Sequence, residues 1–235
     1  MPPEPAARHP LLGRLTEIVV DLGLSVEPAP VDRLLTYLDL LHHWNATYNL
    51  TAVRDPQDML RQHLADCLAV VAPMVRQLGQ PMGVGLGEAP PSLRVLDVGS
   101  GGGLPGVVLA LMFPHWQVVC VDTVGKKAAF IRQVAVELGL CNLRAEHARV
   151  EALKGGSFDV ITSRAFASLV DFTHLSHVLL APHGVWMAMK GKTPTDELSA
   201  LPDHIEVFHV EPLSVPGLNA ERCLVWMRLK TGARP

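Results

Sequence analysis

Through the first third of the chain, apolar residues recur at helical spacing. Leu11, Leu12, Leu15, Ile18, Val19 and Leu22 fall on one face and predict a helix over residues 11–24, broken by Pro28 and Pro30. Leu34, Leu35, Leu38, Leu41 and Trp44 form a second stripe, predicting a helix over 31–48. Asn49-Leu50-Thr51-Ala52 reads as a loop. Asp55-Pro56-Gln57-Asp58 then offers an N-cap with proline at the first helical position, opening a third helix through Met59, Leu64, Leu68 and Val71 that stops before Gly79. From Leu93 the pattern changes. Short apolar runs at 93–98, 117–121, 143–146, 158–162 and 185–189 read as strands, with helices between them at 104–112, 126–138 and 169–180. Such alternation predicts a parallel sheet with crossover helices, hence an α/β fold. Runs at 205–210 and 223–229 suggest a closing hairpin. The Gly- and Pro-rich stretch 80–91 reads as a linker and the Pro-rich 1–10 as a frayed end. The expected organisation is a helical region with linker over 1–91 and a sheet domain over 92–235, packed as one unit.

Composition narrows the class. The 235 residues are 49% hydrophobic and 18% charged, which supports a sizeable core and argues against disorder. A formal net charge of -3 excludes a surface coated in positive charge, though not a local basic patch. Cys67, Cys120, Cys141 and Cys223 have no metal-ligand spacing, so a structural metal is not expected. Such sparse, unpatterned cysteines suit a reducing compartment. The first residues lack the apolar core of a signal peptide and no run could span a bilayer, so a cytoplasmic protein without a membrane partner is expected.

The candidate chemistry begins where the first strand ends. Val95-Leu96-Asp97-Val98 runs into Gly99-Ser100-Gly101-Gly102-Gly103, and Leu104-Pro105-Gly106 opens the next helix. A glycine-rich turn at the carboxyl end of a parallel strand lets a ligand approach the backbone. Gly101, Gly103 and Gly106 have dinucleotide-site spacing, which keeps a nicotinamide-dependent oxidoreductase in play. Asp97 argues against it, because a carboxylate beside the turn would repel a pyrophosphate. S-adenosylmethionine, with a positive centre and hydroxyls, fits better. Asp122, at the end of the second strand, suits a ribose diol in either cofactor, or it simply caps the next helix.

Several segments together resemble one family closely. They are Trp44 through Asp55, His63-Leu64-Ala65-Asp66, the block from Leu96 to the Gly103-Leu104-Pro105-Gly106 end, and Ser163-Arg164-Ala165. In order and spacing they resemble the RsmG, or GidB, family of 16S ribosomal RNA guanine-N7 methyltransferases. The resemblance implies a Rossmann-like S-adenosylmethionine-dependent methyltransferase sheet behind an N-terminal helical region. It implies cofactor contacts from Gly99 and Leu104 in the turn, from Asp122, from Val150 and Glu151 near the adenine, and from Arg164. Asp97 and Gly101 join them on the reading of the turn. The implied partner is 16S ribosomal RNA or the small ribosomal subunit, met by a monomer. Cys67 stands where the pattern suggests serine, and the 80–91 stretch is longer than the pattern suggests.

Guanine N7 carries its own lone pair, so attack on a sulfonium methyl needs neither a general base nor a metal. Alignment is the expected source of rate. Arg164 is the first candidate for positioning cofactor and substrate, against a plain ion pair. His63 and Asp66, three apart on one helical face, could contact RNA or pack an interface. Trp44 and Tyr48 could stack on a base or fill the core; Asn45 and Asn49 could read a guanine edge or serve their own backbone. Lys126, Lys127, Arg132, Arg144, Arg149, Arg164, Lys190 and Lys192 could track phosphates or sit on solvated faces. A methyltransferase acting on a protein or small molecule, and a non-catalytic RNA-binding module, share the fold and stay open.

Overall fold

The computed structural model describes residues 8–25, 28–79, 92–164 and 166–230. The linker expected over 80–91 and most of the end expected to fray lie outside them. The helical region contains α1 (Leu12–Asp21) and α2 (Pro28–Tyr48). Pro28 and Pro30 sit in the first turn of α2, where their missing N–H groups break no helical bond, so they start this helix; α1 ends earlier, at Asp21, where Gly23 takes φ of 65°. The third helix, α3, covers residues 56–68, and its middle, Leu60–Ala65, is π-helical. Asp55 caps it, its side chain accepting from the Asp58 N–H at 3.0 Å. The periodicity suggested one helix to Gly79; instead α4 (Val71–Gln77) follows as a separate helix.

Seven strands form one sheet: β1 (Arg94–Val98), β2 (Gln117–Asp122), β3 (Leu143–His147), β4 (Phe158–Ser163), β5 (Leu180–Lys190), β6 (Ile205–Pro212) and β7 (Cys223–Leu229). Their order is β3-β2-β1-β4-β5-β7-β6, with β1 through β5 parallel to one another and β7 antiparallel to both of its neighbours, β5 and β6. The crossover helices are α5 (Gly106–Met112), α6 (Gly125–Glu137) and α7 (Leu169–Ser176); α8 (Thr195–Ser199) follows β5 and was not foreseen. Two boundaries differ from expectation. Helix α5 starts at Gly106, after the cis Leu104–Pro105 peptide, and not at Leu104. Helix α7 ends at Ser176, because β5 begins at Leu180 and runs through Pro182 and Gly184, where a helix end and turn had been read.

Alternation along the strands builds two cores. On one face Val95, Val118 and Val160 pack with α5, α6 and the apolar stripes of the N-terminal helices, including Leu15, Leu34, Leu38 and Leu41. On the other, Leu96, Val121, Ile161 and Trp186 pack with Leu169 and Phe172 of α7. The chain passes from β3 to β4 through only a short 3-10 turn, Val150–Ala152. That second face therefore receives no crossover α-helix between β3 and β4. The strand order reverses between β1 and β4, which places a crevice at their carboxyl ends. No described helix is long and apolar enough to cross a membrane.

Candidate active site

The glycine turn fills this switch point. Gly99, Gly101 and Gly103 have φ of 69°, 58° and 91°, a region in which a side chain is strained. The turn is tied to β2: the Gly99 and Ser100 N–H groups donate to the Val121 carbonyl at 2.9 and 3.2 Å. Two of its glycines answer to protein neighbours. A Cβ on Gly103 would lie 2.5 Å from Val107 Cγ2, and one on Gly102 would lie 2.9 Å from Leu41 Cδ1. Gly102 is also gripped from α2, where the buried Tyr37 hydroxyl donates to its carbonyl at 2.7 Å. Gly99 differs, with open space where its Cβ would be.

Asp122 lies at the end of β2 and is 6% exposed. Its Oδ2 accepts from the Gly101 N–H at 2.9 Å and its Oδ1 from the Val124 N–H at 2.8 Å, with Lys127 Nζ 3.8 Å from Oδ2. The carboxylate thus holds the turn and the approach to α6 while keeping a second lone pair on each oxygen. Asp97 lies beneath the turn, not at its mouth. It is fully buried, with Oδ2 accepting from the Gly106 N–H at 2.9 Å and Oδ1 without a hydrogen-bond partner. Burial pushes its carboxyl up to about 7, opposed by the Gly106 N–H and the Arg164 charge and aided by Asp122. The raised value favours the protonated fold, so this residue's stabilisation is full below the unfolded value near 4 and fades as pH rises to 7. Urea melts from pH 4 to 7 should show that loss, and Asp97→Asn should flatten it. Equal slopes in both proteins would show that Asp97 does not titrate there.

A cavity of about 550 Å³ opens at these strand ends. Gly99, Asp122, Val150 and Glu151 line it, four of the residues anticipated for a cofactor. Gly101 contributes through its bond to Asp122, whereas Asp97 and the buried Leu104 are not on the wall. Phe166, Leu175 and Lys127, which the sequence reading did not single out for this role, complete it. Apolar walls beside carboxylates suit a flat heterocycle joined to a hydroxylated ring.

Arg164, His63 and Asp66 meet in a second cavity of about 380 Å³, lined also by Met189 and Lys190 at the end of β5. The π-helical stretch of α3 carries His63 and ends at Asp66. Arg164 Nη1 donates to the Gln62 carbonyl at 3.1 Å and stands 3.4 Å from both His63 Nδ1 and Asp66 Oδ2. A guanidinium only donates, so Nδ1 accepts and the ring proton rests on Nε2, 2.8 Å from Thr51 Oγ1. Burial, together with Arg164, lowers the imidazole to about 4, leaving it neutral at pH 7. Asp66 is 2% exposed and holds a second cation, Arg222, whose Nε donates to Oδ1 at 2.9 Å. The sequence reading missed Arg222: it lies 156 residues away, and only the antiparallel β7 brings it here.

The aromatic, asparagine and cysteine candidates have protein roles. Trp44 stacks on Tyr48 at 5.2 Å and packs on Phe130 at 5.6 Å. Asn45 serves its loop, donating to the Val53 carbonyl and accepting from the Thr51 N–H; Asn49 accepts from Arg54. Cys67 is buried and lines neither cavity, and burial raises its thiol.

Comparison with known proteins agrees with this geometry. Residues 31–225 match the family model described as rRNA small subunit methyltransferase G. Ribosomal RNA small subunit methyltransferase G of Acidovorax sp. (strain JS42) is 59% identical over 210 residues, covering 88% of this chain and 90% of that protein. Its counterpart from Methylibium petroleiphilum is 57% identical over 209 residues, covering 89% and 90%. Among solved structures, the ribosomal protein L11 methylase of Lactobacillus delbrueckii subsp. bulgaricus superposes with a TM-score of 0.51 at 16% identity, over 71% of this chain and 77% of that one. At that identity the likeness shows the fold: a Rossmann-like methyltransferase sheet.

Proposed function

Since this chain belongs to the rRNA small subunit methyltransferase G (GidB) family, we propose that it transfers a methyl group from S-adenosylmethionine to N7 of one guanine in 16S ribosomal RNA of the small subunit, acting as a cytoplasmic monomer. The observation that carries this reading is a pair of cavities at the carboxyl end of β4, one lined by Phe166 and the other by Arg164. The first has the walls of a nucleoside site, and the second gathers Arg164, Arg222 and Asp66.

S-adenosylmethionine, when bound, supplies an electrophilic methyl group on a sulfonium centre. Gly99 would give it room, Asp122 would accept from ribose hydroxyls, and Val150 with Glu151 would border the adenine. The fit rests on the spare lone pairs of Asp122 and the open space over Gly99. Arg164, anchored on α3 and on Asp66, borders the second cavity as a fixed donor for an acceptor edge of the incoming base. The Asp66 carboxylate, shared by Arg164 and Arg222, holds both guanidinium groups at the cavity. Attack by N7 releases no proton, so His63 has none to take up; its neutral ring links Arg164 to Thr51.

Asp122→Asn loses the charge and turns an amide NH2 toward one of the two N–H groups, of Gly101 or Val124, that the carboxylate accepts from. Titration calorimetry should show S-adenosylmethionine binding weakened about tenfold, the worth of one charge-assisted hydrogen bond. Unchanged affinity would remove Asp122 from the cofactor site. The direct test incubates labelled S-adenosylmethionine with small subunits lacking guanine-N7 methylation and maps the label. Label on one guanine N7 is expected. Cofactor binding without RNA label would redirect the search to a protein or small-molecule acceptor.

A further inference from the structure

The short β3–β4 connection leaves a stretch of sheet open. Arg94 of β1, Val119 of β2, and Arg144 and Glu146 of β3 project on the same side, since Leu96 pairs with Val119 and Val119 with Arg144. This is the face that α7 covers farther along, over β4 and β5. Over β2 and β3 the connection itself lies on it, contributing Ala148, Ala152, Leu153, Lys154 and Gly155. The result is a groove of about 480 Å³ whose charged lining is Arg94, Arg144, Lys154 and Glu146, three cations against one anion in a chain of net charge -3.

The cations differ in how they are held. The Arg94 guanidinium donates to the Ser157 carbonyl at 3.0 Å and lies over the Phe158 ring at 4.9 Å, so it is fixed in place. Arg144 and Lys154 are exposed, and neither side chain makes an ion pair or a hydrogen bond among the described residues. Arg94 and Arg144 stand about 10 Å apart across two strand spacings and about 7 Å along the strands. The groove also reaches the nucleoside cavity: Ala148 lines both, and exposed Arg149 follows it on the cavity wall.

We propose that this open sheet face is a docking groove for the ribosomal RNA backbone, in which Arg94, Arg144 and Lys154 hold phosphates of the strand flanking the target nucleotide. The proposal rests on the RNA substrate argued above. Charge complementarity selects the occupant: a polyanion gains from spaced, uncompensated cations, and phosphate contacts supply register without reading bases. A covering helix of this chain would have brought apolar residues onto the face. The strands instead place Arg94, Arg144 and Glu146 around a partly buried Val119, with Ala148, Ala152, Leu153 and Phe158 as the apolar part of the lining. Glu146 opposes the ligand and gives the groove a side chain whose removal should act in the reverse direction.

The test compares methyl transfer to small subunits by the full chain and by the paired variant Arg144→Gln with Lys154→Gln. Both side chains are exposed and unpaired, so the fold should persist, and thermal melts will check it. The KM for subunits should rise at least tenfold at low salt, with kcat and S-adenosylmethionine affinity unchanged. The slope of log KM against log salt should fall by roughly 1.5 for two lost phosphate contacts. Glu146→Gln should lower KM. An unchanged KM in the paired variant, or a higher KM in Glu146→Gln, would overturn the groove. A photo-crosslinker at position 154 separates the partners: labelled 16S RNA is expected, and a labelled ribosomal protein or no label overturns the proposal. If the unaltered chain methylates no RNA, it is the functional reading that fails, and the crosslink still reports on the groove.

Discussion

Gly106→Val should abolish folding at ordinary temperature, and Gly106→Ala should lower stability by about 3 kcal/mol, at the upper end of overpacking costs. The smallest side chain is required here because a Cβ would lie 2.3 Å from Cys120 Sγ and 2.9 Å from Asp97 Oδ2. Neither neighbour can retreat, since both are fully buried in the strands beneath. Cys120→Ala removes the nearer obstacle, so adding it to Gly106→Ala should restore part of the loss. Urea melts of the two single variants and the double variant would show a coupling energy of about 1 kcal/mol or more. Simple additivity would mean that the strain lies elsewhere, in the backbone of the turn.

Arg164→Ala should cut methyl transfer by about a hundredfold, the scale associated with a misplaced reacting group. The same change should cost only about 1–3 kcal/mol of stability, the range for one lost buried charge partner. The argument lies in what remains. Asp66 keeps Arg222 as its partner, so the carboxylate is not left unpaired, and His63 keeps Thr51. The fold survives while the second cavity loses its fixed donor. Arg164→Lys retains charge but not the fork that reaches Gln62, His63 and Asp66 together, and should recover little activity. Initial rates at saturating cofactor, with urea melts on the same preparations, make the comparison. A stability loss large enough to account for the lost activity would reduce Arg164 to a strut.

Much of this was legible in the chain because period and punctuation report local structure. The stripe through Leu34, Leu38 and Leu41, the strand ending at Asp122 and the glycine turn were all readable from neighbours in sequence. Of the residues that line the larger cavity, Asp122 was readable because it ends a strand, whereas Val150 and Glu151 came only with the family resemblance. What sequence could not supply was placement across the fold. Asp97 reads as the acid at the mouth of the turn, and only packing sends it under Gly106. Four glycines suggested room for a ligand. For Gly102, Gly103 and Gly106 the demand comes from Leu41, Val107 and Cys120, and Gly99 alone of the group lines the cavity. Arg222 had no local signal at all. The break in α7 was hidden because Leu179 and Leu180 continue an apolar run that the structure divides between a 3-10 turn and a strand.

The grip of Tyr37 on the Gly102 carbonyl has an evolutionary side. A glycine signature is commonly treated as a portable cassette, something a lineage can keep while exchanging what surrounds it. Here the cassette is clamped from a helix more than sixty residues upstream, and Leu41 fills the space where any larger residue would grow. Helix α2 and the turn must therefore drift together: a change in one constrains the substitutions open to the other. A chimera that borrows the sheet from a distant methyltransferase would inherit the motif without the clamp that gives it shape.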